Sequence, residues 1–368
     1  MFIPMILYVY LAKRDNVSFI KAVGIGIVGL LPFIFWVLFS TFYYGFPVPN
    51  TAYVKLGTDL PKLEYIKRGI QYFYTSAAFD PLLFVVPLFM IVFLIFVRKF
   101  KYIYCSLGVI LYMAYVMYIG GDFMVGRHFT VPFFMALICL LDMQNHTDRE
   151  SLKVIWFNKT FYVVVILSLL LCFLCKPFTE RILFGSGSSP IADERDGYFK
   201  YTSLYSNLIS YIKNHEMVIR DAWNEQGIDE VRAAGNKGAI LVMVPGISIY
   251  YNSDLYLNDL YALGDPFLSK LPAVREENWR IGHMWREAPV GYNETVLYGE
   301  NVIEDENLRE YYEIIKLITR GKLFDAKRIK AVIDINLGKY DYLLDNYKNS
   351  LDENCHQITD KYYVKRGN

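Results

Sequence analysis

"AVGIGIVGLLPFIFWVLFSTF", residues 22 to 42, contains no charged residue. A helix of that length crosses the hydrocarbon core of a bilayer, so lipid is the solvent to assume for this part of the chain. Comparable runs follow. The apolar pattern predicts spans over about 17–42, 80–97, 102–121, 129–142 and 159–176. Met1 to Ala12 makes only a partial span, because twelve helical residues reach about 18 Å against a hydrocarbon core of about 30 Å. It lacks the basic start and cleavage site of a signal peptide. Composition agrees with this division. The 368 residues are 54% hydrophobic, 17% aromatic and only 20% charged, too apolar for an ordinary soluble protein. Uncharged runs dominate up to Cys175, and charges recur every few positions from Lys176 onward. The expected fold is an α-helical polytopic membrane domain over 1–176 followed by a mixed α/β extracytoplasmic domain over 177–368.

A net charge of +1 leaves no footprint for nucleic acid. Cys105, Cys139, Cys172 and Cys175 lie in apolar runs, and Cys355 stands alone in the polar half. Cys172 and Cys175 spell CxxC, but inside an apolar helix they read as small packing residues. Three basic clusters set the orientation: Lys13, Arg14 and Lys21; Arg98, Lys99 and Lys101; Arg149, Lys153 and Lys159. Alternating spans place all three on one side, hence the cytoplasm, and put residues 43–80, the turn near 121 and everything after Cys175 outside.

That turn, "YIGGDFMVGRHFTVPFF" (118–134), sets Asp122, Arg127 and His128 behind a Gly-Gly pair at the outer end of a span. Ionisable groups at membrane depth are costly and are candidates for function. The plainer reading is a solvated loop whose Asp and Arg pair with each other. The other outer loop, "FYYGFPVPNTAYVKLG" (42–57), is extended by Pro47 and Pro49, and Asn50-Thr51 are suited to cap the helix that follows. Its tyrosines also suit an interfacial belt. Beyond Pro61, Leu63, Ile66, Ile70, Phe73 and Tyr74 fall at helical spacing, as in an amphipathic helix on a membrane surface.

In the polar half, "FGSGSSP" (184–190) reads as a linker and "RDGYFKYTSLYSNLISYIKNH" as an amphipathic helix. "GAILVMVPGISIYY" reads as two short strands around Pro245-Gly246, and 310–319 and 324–335 read as helices. Residues 260–292 lack clean periodicity and carry Asp265, Arg275, Trp279, Arg280, His283, Trp285 and Arg286. Indole faces and guanidinium forks suit sugars and oxyanions; a loop packing the domain onto the membrane part is the alternative. The Asn293-Glu294-Thr295 triplet is read as a chance match to a glycosylation site.

"YYGFPVPNTAYVKL", "GGDFMVGRHFTVP" and "DLYALGDPFLSKLP…WRIGHMWREAPVGY", in this order across residues 40 to 295, resemble the bacterial GT-C membrane glycosyltransferases related to the terminal arabinofuranosyltransferases. The resemblance implies an inverting transferase of the bacterial plasma membrane, multi-pass, with its C-terminal domain outside. It would move a furanosyl residue from a polyprenyl-phosphate donor to an envelope glycan or glycoprotein. Arg127, His128, Lys55, Asn50 and Tyr53 would then serve the donor phosphate end, and Trp279, Arg280, His283 and Arg286 the acceptor. That last segment would fold back against the membrane part. No cofactor is implied, and no acidic cluster has the look of a metal cage. Such enzymes carry their general-base Asp in a first outer loop after a first helix. Neither is present here, so the chain reads as a C-terminal fragment, inactive alone, with Asp122 the best remaining carboxylate and donor-site architecture its favoured role. A non-catalytic protein that binds or transports lipid-linked glycans is the rival reading.

Overall fold

The computed structural model describes residues 3–13, 18–58, 60–97, 100–146, 152–174, 190–193, 203–217, 225–233, 235, 240–242, 245–259, 261–274, 279–345 and 347. It is mostly helical, about 70%, with almost no strand. Two compact units divide the chain: residues 1–29 with 60–197, and residues 30–59 with 198–368.

In order, α1 is Ile3–Lys13, α2 Phe19–Tyr44, α3 Asn50–Leu56, α4 Lys62–Phe79, α5 Leu82–Val97, α6 Phe100–Tyr118, α7 Thr130–His146 and α8 Leu152–Leu174. Helix α2 is long and apolar enough to cross a membrane, and none of its apolar window is buried inside the protein. Ile20, Val28, Phe33, Phe35, Trp36 and Leu38 stand exposed along it, an arrangement that water would penalise and lipid would not. Helices α4 and α5 pass the same test only as one span broken by a 100° bend. The bend falls at Asp80-Pro81, where proline has no N–H to continue the first helix. Among the described residues, the apolar helices Ile3–Ala12, Tyr102–Tyr118 and Lys159–Leu170 are shorter.

The first unit packs α5, α6 and α7 around Val86, Met90, Phe93, Val109, Ala136 and Leu140. Helix α4 meets α6 through Gly69, where an added Cβ would strike the Met117 carbonyl. Its buried face is Tyr65, Gly69, Tyr72 and Ser76, while Leu63, Ile70 and Tyr74 of the expected apolar stripe remain exposed. An interfacial helix keeps such a stripe for the bilayer.

The second unit continues with α9 Leu204–Asn214, α10 Glu225–Ala233, β1 Ile240–Val242, α11 Pro245–Tyr251, β2 Leu257–Asp259, α12 Tyr292–Tyr298, α13 Glu306–Arg320 and α14 Ala326–Asn336. The mixed α/β expectation is not confirmed. Among the described residues the sheet is one parallel pair, β1 with β2. The second strand expected after Val242 is α11 instead. Pro245 stands at its first position, where a fixed φ and a missing N–H favour helix entry, and a short apolar run does not distinguish strand from helix. The two C-terminal helices match their expected places and are capped by Asp305, which accepts from Leu308 N–H, and Asp325, which accepts from Lys327 N–H. They form a core with Phe46, Val54, Phe267, Leu271 and Tyr292.

The 184–189 linker, Arg275, and Arg14, Arg98, Lys99 and Arg149 of the basic clusters lie outside the described residues, as do the side chains of Cys172, Cys175 and Cys355. Cys105 and Cys139 are buried thiols.

Candidate functional site

The Asp122 turn is built by its glycines. Gly120 and Gly121 both take positive φ, and a Cβ on Gly121 would enter the Tyr72 ring. The chain therefore reverses tightly against α4 and delivers Asp122 to a position only 2% exposed. One of its carboxylate oxygens accepts the Phe123 N–H at 2.9 Å. The other forms an ion pair with Arg127 and lies 3.7 Å from His128 Nε2. Gly126, also at positive φ, starts a 3-10 turn over Arg127–Phe129 that leads directly into α7.

Helix α4 holds this turn from one side. Ser76 Oγ accepts the Gly126 N–H at 3.0 Å, and the Tyr72 hydroxyl accepts the His128 N–H at 3.2 Å. Phe129 is fully buried against Tyr72, Phe73 and Phe84. The solvated-loop reading thus fails on burial, although the Asp–Arg pair it foresaw does form. A buried carboxylate with a guanidinium on one oxygen is a brace for the cation.

Residues 190–193 pair with the turn from another side. Met124 and Ala192 form a parallel bridge: the Ala192 N–H donates to the Phe123 carbonyl at 2.8 Å, and the Val125 N–H to the Ala192 carbonyl at 3.1 Å. Ile191, Ala192 and Asp193 are all buried. Between these elements lies an open pocket of about 350 Å³ whose lining includes Ser76, Asp80, Gly126, Arg127, Thr130 and Asp193. The Arg127 side chain, 43% exposed, keeps one face toward it while its other nitrogen contacts Met124 Sδ at 3.1 Å. Sequence reasoning missed Asp193. Nothing in its spacing points to a turn so far back along the chain.

No family model, curated protein or solved structure matches this chain.

Asn50, Tyr53 and Lys55, expected beside Arg127, belong to the second unit. Asn50 begins α3 and lines a second pocket, of about 580 Å³, with Trp36, Ser40, Tyr44, Phe46 and Gly264. Lys55 runs along Gly282, where an added Cβ would lie 2.9 Å from its Cε, so the structure joins α3 to the 279–286 segment. Arg286 corrects an expectation. It is 1% exposed and donates to the carbonyls of Leu271, Met284 and Val54 at 3.1, 2.8 and 3.1 Å, which makes it an internal clamp instead of an acceptor contact. Trp279 is likewise buried, at 5%, and presents no open indole face. Arg280 and His283 are half-buried, and Tyr261 sets its ring edge-on to both His283 and Trp285, at 4.9 and 5.9 Å.

Other polar groups of this unit serve the fold. Asp265 caps the Leu268–Lys270 turn by accepting the Phe267 and Leu268 N–H groups, both at 2.8 Å, and also takes the Tyr292 hydroxyl. Burial pushes its carboxyl above the usual range. Lys270 places its side-chain nitrogen 2.7 Å from the Tyr53 ring centre and 3.9 Å from that of Phe46, and among the described residues it donates no hydrogen bond. The ring faces favour the charged form. Burial opposes it and prevails, bringing the amine down to about 6.

Proposed function

We propose that this chain is an inverting membrane glycosyltransferase of the GT-C type, acting at the outer face of a bacterial plasma membrane. It would span that membrane several times, with its C-terminal domain outside. The donor is a polyprenyl-phosphate-linked furanose, arabinofuranose in the resembled family, and the acceptor a hydroxyl of an envelope glycan or glycoprotein. The observation that carries this reading is the Asp122 brace: a buried carboxylate holds Arg127 at the edge of a pocket, and His128 Nε2 lies 3.7 Å from the same carboxylate. Donor cleavage leaves a phosphate, and a guanidinium held by a fixed carboxylate meets that developing charge without having to reorganise. Helix α2 supports a site served from lipid, where the donor's tail remains in the bilayer. In the second unit Lys55 lies against Gly282 and Tyr261 sets its ring edge-on to His283, a cation and aromatic groups along the segment that also carries Arg280, suited to glycan recognition.

The test is release of free polyprenyl phosphate. Proteoliposomes of the full chain, given polyprenyl-phosphate arabinofuranose and an arabinofuranosyl oligosaccharide, release it together with a lengthened glycan if the reading is right, an outcome that would also overturn the expectation, drawn from the resemblance, that this chain is inactive alone. A protein that only binds or carries lipid-linked glycan releases none.

A further inference from the structure

We infer that the pocket at the C-terminal end of α2 holds an uncharged glycolipid, its sugar head beside the start of α3 and its tail running along α2 into the bilayer. The inference needs α2 to cross a membrane and is independent of the transferase reading.

The described residues that line this pocket of about 580 Å³ all belong to the second unit. Trp36, Ser40 and Tyr44 recur every four residues on α2 and so share one face of it. The chain then turns back on that face: Ser40 Oγ donates to the Phe46 carbonyl at 2.8 Å, and Phe46, Asn50 and Thr51 join the lining. Trp36 lies about 12 Å along the axis before Tyr44. Helix α2, at 26 residues, is about 39 Å long against a hydrocarbon core of about 30 Å. Centred in the bilayer it overshoots by about one turn at each end, which leaves Tyr44 at headgroup level and Trp36 at hydrocarbon depth. Trp36 is more than half exposed, as are Phe33 and Phe35 before it. An occupant of this pocket therefore meets both solvents, as an amphiphile does.

Charge and hydrogen bonding select its head. Among the described residues, none that lines the pocket is charged. A phosphate would enter with no cation to meet it, at a cost in desolvation, so the phosphate role that the resemblance implies for Asn50 does not suit this place. Nor do Asn50 and Thr51 cap α3 as expected: the cap position falls to Pro49, with no side-chain bond. Among the described residues, nothing hydrogen-bonds the Asn50 carboxamide, the Thr51 hydroxyl or the Trp36 indole N–H. A carboxamide and a hydroxyl each both donate and accept, which matches the hydroxyls of a sugar. The aromatic rings of Tyr44 and Trp36 suit its C–H groups and the first carbons of the tail.

The experiment uses the purified full chain in detergent micelles, equilibrated with monogalactosyl diacylglycerol or with phosphatidylglycerol of the same acyl chains. Lipid retained per protein is read by native mass spectrometry. The wild type is expected to retain the galactolipid in preference. Asn50→Ala combined with Thr51→Ala should weaken that retention roughly tenfold, and Trp36→Ala should weaken it as well. Asn50→Lys should reverse the preference, because it supplies the missing cation. Equal or stronger retention of phosphatidylglycerol by the wild type overturns the inference. So does galactolipid retention in the alanine variants that matches wild type, or binding of methyl galactoside as tight as that of the galactolipid, which marks a site for soluble glycan. Should the double alanine variant fail to fold, Trp36→Ala, on an exposed helix face, and Asn50→Lys decide. None of these outcomes turns on sugar transfer, so failure here leaves the transferase reading to its own test.

Discussion

Arg127 is worth examining as half of a pair. With Asp122 behind it, the guanidinium is fixed in place, and either partner alone is worth little. On the transferase reading, Arg127→Ala should reduce turnover by roughly 100-fold or more, and Arg127→Lys should recover only part, because the planar fork is lost. Asp122→Asn should cost nearly as much, and the double variant little more than either single one. Rates that simply multiply in that double-mutant cycle would sink the coupling. Lys270 gives a prediction that needs no substrate. Its amine titrates near 6 when folded against an ordinary value of 10.5, so between those limits the unfolded chain binds one more proton. Its contribution to stability must then rise with pH across that window. Lys270→Met should remove this rise and stabilise the protein at neutral pH, as read from unfolding midpoints at several pH values. An unchanged pH profile in the variant would refute the assignment. Arg286 and Asp193 show why residue roles were only partly legible. The Asp122–Arg127 pair is local, and spacing exposed it. Arg286 answers to the Val54 carbonyl and Asp193 follows Ala192, which bridges to the turn at Met124, and neither approach leaves a mark in nearby residues.

Among the elements, α2 was legible in full, because a long run without charge admits few structures. Its insertion can be apportioned. About a dozen apolar side chains at roughly −0.3 to −0.6 kcal/mol each must offset Pro32 and the glycines. One arginine, at roughly +2.5 to +3.5 kcal/mol, should leave insertion marginal, and the pair Val28→Arg with Leu31→Arg should abolish it. The inserted fraction, measured by extraction of membranes at high pH, checks this; full insertion of the double variant would remove α2 from the list of spans. The turn after α6 is equally exacting. Gly121→Ala places a methyl group in the Tyr72 ring at a φ of +73°, so the variant should melt well below wild type. A melting curve indistinguishable from wild type would mean that the turn is not built this way. Pro245–Tyr251 was misread because a short apolar stretch has no period to betray it; the proline at its head was the available signal.

For the whole molecule, orientation was argued from lysines and arginines on alternate loops. A reporter active only outside the cytoplasm, fused after Asn368, should be active. An inactive fusion to a well-inserted chain would overturn the orientation and the function built on it. The division into two units was not legible. The second unit recruits residues 30–59 from the middle of the apolar half, and Arg328, buried among the C-terminal helices, reaches back to the Tyr43 carbonyl at 2.9 Å. Hydropathy sorts residues by solvent and says nothing about such returns of the chain.

The bridge between Met124 and Ala192 also imposes an order of events during biosynthesis. The Asp122 turn is synthesised with α7 and α8 still to be made, and its pairing segment follows several seconds later at roughly 5–20 residues per second. In that interval Arg127 has its brace but no Asp193 opposite. The pocket closes only after the last apolar helix of its unit has been synthesised, so a nascent chain still being inserted holds no assembled site. A chain arrested before Ile191 should therefore leave the turn open to hydrogen exchange at Val125, and one arrested well beyond Asp193 should protect it.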